Sequence, residues 1–420
     1  MAKDMSTSEI GLLRDLVVQT HDAAEESSST DCADRWTRLN DLEPTRPTVW
    51  VNEEPWAELR VEFADELLVR TTDPFLRSVE WNLRVQLFRW RHYRADMVVQ
   101  DVLPCPAAVQ LGDIGVAVDE ALVRKEGQEV GSHGYRRTIR SIEDVERIQT
   151  PDVHFDPDET ERRFRLLSEI AAGAMDVEAR GISNQWFALW DRLIQNLGVE
   201  EAMIDLIEHA DLVHAAVARM RDGWLKRLRQ LESMGLLATN HANERVGSGG
   251  YAYSKDLPAP GFTPDRVRPR DQWGCGNAQI FAGVSPAMHE EFSLQYERPW
   301  LEQFGLVYYG CCEQLHDRMH IPESIPRLRK VSASPWSDKA RMRELCRGRY
   351  VVSLKPSPAP LAEDSFDIEH AEAALRSDLD ALAGTNVEVI LKDVSTLRGS
   401  GDRLFDWVAM AMRVVREYGI

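Results

Sequence analysis

Leu306-Val307-Tyr308-Tyr309-Gly310-Cys311-Cys312-Glu313 is a short aliphatic and aromatic run that ends in a glycine, two adjacent cysteines and a carboxylate. β-Branched and aromatic side chains suit a buried strand. Upstream, Met288 to Phe304 has helical spacing, and downstream Leu328 to Val331 opens another apolar run. Gly310 to Glu313 therefore reads as a strand-to-helix loop of an α/β protein, the kind of loop that carries chemistry. The plainer readings of the cysteines are a buried pair packed as small hydrophobes, or a vicinal disulfide. Glu313, with His316 and His320 close behind, points instead to a functional thiolate.

Outward from this loop the same alternation repeats. From Arg46 on, short β-branched or aromatic runs are followed by a polar loop and a helical pattern. Eight strands are expected, at Thr48–Val51, Met97–Asp101, Met175–Arg180, Leu236–Asn240, Leu306–Tyr309, Arg329–Ala333, Tyr350–Leu354 and Val387–Leu391. Eight βα units predict an α/β fold of the (β/α)8 TIM-barrel class. Residues 1–45 read as an N-terminal helical extension, with a helix from Ser8 to Thr20, a solvated turn at Glu25–Thr30 and a second helix from Asp31 to Leu39. Residues 46–420 then form the barrel. Two segments interrupt it: Val116 to Pro157, with short strand pairs of its own, and Ala242 to Asp271, rich in Gly, Pro and Tyr. The second is expected to fold over the barrel mouth. Its Gly247-Ser248-Gly249-Gly250 lacks the Lys-Ser/Thr of a phosphate loop, so close backbone approach is the better reading.

The chain has 420 residues and a formal net charge of −19, without a basic stripe. That excludes a nucleic-acid footprint. Six cysteines are too few for a disulfide scaffold, and no apolar run reaches membrane-spanning length. A cytoplasmic setting is expected, with a small-molecule substrate and a homodimer as a further expectation.

In a barrel the strand ends converge on one mouth. Candidate substrate-binding residues there are Asn52 and Glu54 after the first strand, Asn184 and Trp186 after the third, and Asn240 after the fourth. Ser334 and Trp336 follow the sixth, and Lys355 follows the seventh. Candidate catalytic residues are Asp101, Cys312, Glu313 and Lys392. Asp101 suits an acid/base or the binding of a cationic group, and equally a helix cap. Lys392 suits a carboxylate or phosphate, and equally a salt bridge. Strand alternation predicts that only one of the two cysteines faces the mouth, with Cys312 favoured. An open zinc site would need three protein ligands, and Cys311, Cys312, His241 and Glu313 are the candidates. Cys275, in Trp273-Gly274-Cys275-Gly276, is a further candidate from the loop side.

These residues resemble the uroporphyrinogen decarboxylase superfamily, which includes corrinoid-linked zinc-thiolate methyltransferases acting on coenzyme M. Arg46-Pro47-Thr48-Val49-Trp50 is similar to the family's opening strand, and Asp101 in Val98-Val99-Gln100-Asp101-Val102-Leu103 to the decarboxylase aspartate. Val284-Ser285-Pro286-Ala287-Met288-His289-Glu290-Glu291-Phe292 resembles a family helix opening. Leu306 to Cys312 lies where the methyltransferases carry His-x-Cys-Gly. The decarboxylases' Arg-Gln-Ala-Gly-Arg-Tyr is replaced by Asn52-Glu53-Glu54-Pro55-Trp56, which would repel a polycarboxylate such as uroporphyrinogen. The resemblance implies a methyltransferase-type activity using a cysteine thiolate, with zinc and a corrinoid carried by a partner protein. A decarboxylase or lyase acting on a carboxylic acid is the alternative, and a non-catalytic ligand-binding barrel the third reading.

Overall fold

The computed structural model describes residues 7–28, 30–123 and 132–419. Seven parallel strands form one sheet: β1 (Thr48–Val51), β2 (Trp186–Phe187), β3 (Trp273–Gly276), β4 (Leu306–Tyr309), β5 (Leu328–Ala333), β6 (Val351–Leu354) and β7 (Asn386–Leu391). Their order across the sheet is β1, β7, β6, β5, β4, β3, β2. Helices cross over between parallel strands, at Lys339–Cys346 from β5 to β6 and Ile368–Ala381 from β6 to β7, and Asp402–Glu417 follows β7. This is a mixed α/β architecture of the TIM-like kind.

Side chains alternate between the two faces of each strand. Val307, Tyr309, Val331, Val352, Leu354, Val389 and Leu391 belong to the large apolar core shared with the surrounding helices. Tyr308, Lys330, Ser353 and Glu388 point to the other, inner face, and all four are fully buried.

Six of the eight expected strands form close to the expected places. Met97–Asp101 does not: the strand begins only past its expected end, as Val102–Pro106, and pairs in parallel with Asp176–Arg180. Its prolines lack N–H donors, which a strand paired on one side tolerates. Leu236–Asn240 reduces to a single parallel bridge between Leu237 and Ile182. The strand that sequence reading passed over is β3. Its glycines disguise it, yet they are required by packing: a Cβ on Gly274 would lie 2.2 Å from the Phe304 ring. Cys275 is therefore a strand residue and not a loop ligand.

The helical N-terminal extension is present, and longer than expected, since Thr7–Ser28 is helix through most of the anticipated turn. The second helix, Cys32–Asn40, carries Trp36 into the inner face, where Lys330 Nζ lies 5.8 Å from the ring centroid. Inside the first interruption, Asp119–Val123 pairs antiparallel with Ser132–Arg136.

Ala242 to Asp271, expected over the mouth, goes largely into the interior. Arg245 bridges Tyr251 in a tight antiparallel turn whose glycines enter the inner face. A Cβ would lie 2.4 Å from Tyr308 at Gly247, 2.3 Å from Glu388 at Gly249 and 2.3 Å from Trp36 at Gly250. The chain then leaves at the opposite end, where Asp256 pairs with Arg329 at the start of β5 and Ser254 bonds Asp41. Small glycines let this hairpin fill the interior, while Arg245 at its start reaches Glu53 at the mouth, at 3.0 Å.

Candidate active site

The ends of β4, β5, β6 and β7 converge on a pocket of about 460 Å³. Cys311 and Cys312 line it together with Trp336, Lys355, Pro356, Pro358, Lys392 and Asp393. Strand alternation stops at Gly310, whose φ of +100° is open to glycine and strained for other residues. After that turn both thiols face the same space, with Sγ atoms 3.7 Å apart and unbonded. The expected split, one thiol outward and one toward the core, is not seen.

The Cys311 backbone is held on both sides. Its N–H donates to Glu313 Oε2 at 2.8 Å, and its carbonyl accepts from the Ser332 hydroxyl at 2.7 Å. Glu313 Oε1 accepts in turn from the Ala278 N–H at 3.0 Å. Glu313 is fully buried and does not line the pocket, so it positions Cys311 and is not available to a substrate. Burial raises its pKa, with those N–H donors opposing.

Lys392 Nζ lies 3.3 Å from Cys311 Sγ. The thiol of Cys311 is drawn down to about 7, foremost by the hydrogen bond from Cys312, with burial opposing and the Lys392 charge assisting. Cys312 moves the other way: donating that bond and being buried both raise it. The two sulfurs share a proton between them, and Lys392 beside Cys311 favours the negative charge on that sulfur. For Lys392, burial opposes the charge, but the Cys311 thiolate, Glu53 and Asp393 outweigh it and raise its pKa.

Glu53 and Asp393 flank Lys392 at 3.6 and 3.3 Å. Both have left-handed backbones, φ +63° and +57°, at the ends of neighbouring strands β1 and β7. Such strain in non-glycine residues clusters at functional sites. Their carboxyl groups share a hydrogen bond. Burial would raise Glu53, yet Asp393, Lys392 and Arg245 bring it to about 2; burial and Glu53 raise Asp393.

Lys355 reaches the pocket from below, with Nζ donating to Tyr308 Oη at 3.2 Å. Burial pushes it down to about 7. Behind it runs an inner-face network absent from sequence reading: Tyr308 with Ser248 at 2.8 Å, Ser353 with Glu388, and Lys330 with Glu388 at 2.8 Å.

The remaining candidates fall elsewhere. Asp101 stands at the start of its strand, half-exposed and paired with His21 Nδ1 at 2.8 Å, away from the pocket. Glu54 is locked to both guanidinium nitrogens of Arg89 and to the Tyr93 hydroxyl. Asn52 donates to the Gly249 carbonyl, and Asn240 clamps the backbones of Ser183 and Trp273. Trp186 donates to Asn277, Asn184 is exposed, and Ser334 bonds Ser337. Trp336, exposed and lining the pocket, and Lys355 keep their expected place. His289 ends the short helix Pro286–His289 and is buried.

The zinc set does not assemble. Among the described residues no three His, Cys, Asp or Glu side chains are grouped to hold a metal ion. Glu313 is spent on backbone N–H groups, and His241 is drawn down by burial near Asp271 instead of joining the thiols. These residues do not fit a zinc ion.

No family profile and no curated protein matches the chain. Among the described residues no helix is long and apolar enough to cross a membrane.

Proposed function

We propose that the protein is a group-transfer enzyme built on a closed (β/α)8 barrel of the uroporphyrinogen decarboxylase type, in which the Cys311 thiolate takes a methyl or similarly small alkyl group from an electrophilic donor. The observation that carries this reading is the 3.3 Å approach of Lys392 Nζ to Cys311 Sγ inside an apolar-walled pocket at the strand ends. A cation beside a thiol keeps the nucleophilic form populated at neutral pH. The prolines and Trp336 give the pocket apolar walls, and Lys392 and Lys355 are the cations that would meet a carboxylate- or sulfonate-bearing acceptor. The donor is a methyl-corrinoid presented by a partner protein, and no resident metal is invoked.

The test is to incubate the protein with methylcobalamin and 2-mercaptoethanesulfonate, and to measure both the methylated thiol and the mass of Cys311. Methyl transfer by the parent and not by C311S supports the reading. Equal transfer by both, or by neither, removes it.

Lys355 favours a second reading, decarboxylation of a small acid. Its amine, brought by burial to about 7, is a carboxylate partner that switches near neutral pH. Release of CO₂ from a panel of small acids, lost in K355M, tests it. Asp101 has no part in this version, since it stands outside the pocket.

A further inference from the structure

Cys312 has no task in group transfer, yet its sulfur lies 3.7 Å from the Cys311 sulfur in the same pocket. The two differ in surroundings: Lys392 lies beside the Cys311 sulfur and favours a thiolate there, with the proton left on Cys312. Only Cys311 touches Lys392 through a direct hydrogen bond. An attacking sulfur beside a protonated one, with access from solvent, is the arrangement that dithiol–disulfide exchange requires.

We propose that Cys311 and Cys312 act as a dithiol toward small-molecule disulfides, Cys311 attacking and Cys312 resolving. In the first step the Cys311 thiolate attacks one sulfur of the disulfide R–S–S–R. A bond forms between Cys311 Sγ and that sulfur, and R–S⁻ leaves with the electron pair. In the second step Cys312 loses its proton to the departing thiolate and attacks Cys311 Sγ. The second R–S⁻ leaves, and takes a proton from solvent. Two protein thiols are oxidised, and one disulfide is reduced to two thiols. The ligand class follows from the pocket: Lys392 and Lys355 stand against Asp393 and Glu363, which suits a small disulfide carrying both carboxylate and ammonium groups, such as oxidised glutathione.

The product is a bond between adjacent residues. Their Cα atoms are roughly 3.8 Å apart across a trans peptide, shorter than the roughly 4.4–6.8 Å that unstrained disulfides span. A strained bond is readily reduced, which makes the oxidised pair a labile carrier and not a structural staple. Oxidation also removes the thiolate, so group transfer stops while the bond persists.

This inference rests on Cys311 being the nucleophile of the group-transfer reading, and the experiment separates the two. The parent, C311S and C312S are treated with oxidised glutathione near pH 7.5, quenched in acid, and followed by intact mass and peptide mapping without reductant. The parent is expected to lose two hydrogens at Cys311-Cys312 and to retain no glutathione. C312S is expected to hold one glutathione on Cys311, and C311S to react at least tenfold more slowly at this peptide. Glutathione retained on Cys311 of the parent overturns the resolving role and leaves the nucleophile standing. No adduct on C312S overturns both.

Discussion

Lys330 Nζ lies 2.8 Å from Glu388 Oε2, and both side chains are fully buried on the inner face of the sheet. Burial alone lowers the lysine and raises the carboxyl; their mutual attraction opposes both, and Glu388, also beside Lys355, ends below its ordinary value. Removing one partner of such a pair leaves an uncompensated buried charge, at a cost of about 3–5 kcal/mol. K330M is therefore expected to lose stability by that amount in urea denaturation. K330M/E388Q should lose less than the sum of the two single variants. Additive losses would show that the two charges do not depend on each other.

Alkylation of Cys311 by iodoacetamide should follow a pH profile with its midpoint near 7. The sign follows from the thiolate being the reactive form: the rate rises with pH, and whatever stabilises the thiolate moves the midpoint down. C312A removes the largest such contribution, and K392M removes the adjacent cation. Each should move the midpoint upward and lower the rate at pH 7 by roughly fivefold or more. Peptide-resolved mass spectrometry distinguishes Cys311 from its neighbour. A midpoint that stays near 7 in K392M would take Lys392 out of the site.

The strand periodicity and the loop chemistry of Leu306 to Glu313 were legible because both are local. Period-2 alternation places Val307 and Tyr309 against the helices, and a glycine before two cysteines marks a turn into a site. What local pattern does not carry is partner choice. Asp101, Glu54 and Asn240 look alike as polar residues near strand ends, but His21, Arg89 and the Trp273 backbone, distant in sequence, decide what each does. The inner-face network had a signal that went unused. Lys330 and Glu388 stand next to the apolar and small residues Val331 to Ala333 and Val389 to Leu391, and charges in buried strands are rare unless paired. Trp273-Gly274-Cys275-Gly276 was missed because Gly274 is explained by Phe304, thirty residues on.

Gly250 gives way to the edge of Trp36, and a Cβ there would lie 2.3 Å from the indole. The indole cannot retreat freely, since its Nε1 donates to the Asp96 carbonyl at 2.8 Å. G250A should accordingly cost about 1–3 kcal/mol through overpacking. The denaturation midpoint should fall with an unchanged slope, as for a native-state clash. G283A, where nothing lies within 4 Å and φ, as at Gly250, is not positive, is the control for the backbone contribution. Equal losses in the two variants would assign the effect to backbone conformation and not to the Trp36 contact.

Glu297 makes stability fall as pH rises. Its carboxyl is fully buried, accepts from the Tyr309 hydroxyl at 2.8 Å and the Ser293 hydroxyl at 3.0 Å, and is pushed by burial to about 8. The folded state therefore binds this proton more tightly than the unfolded chain, whose glutamate titrates near 4.5. Between those two values the native protein holds more protons, and the slope of stability against pH is negative. His289, bonded to the same Tyr309 hydroxyl, contributes the opposite sign at lower pH: burial brings it to about 4, so protonation between that value and 6.5 favours the unfolded chain. The two trends overlap below pH 6.5 and separate above it. Above pH 7 Lys355 and Cys311, both lowered on folding, contribute the opposite slope, so the parent is read against a variant: from pH 6.5 to 8 its stability should fall relative to that of E297Q, which cannot ionise. Denaturant titrations at half-unit pH steps read this directly, and identical slopes for the two proteins would show that Glu297 is already ionised in the native state.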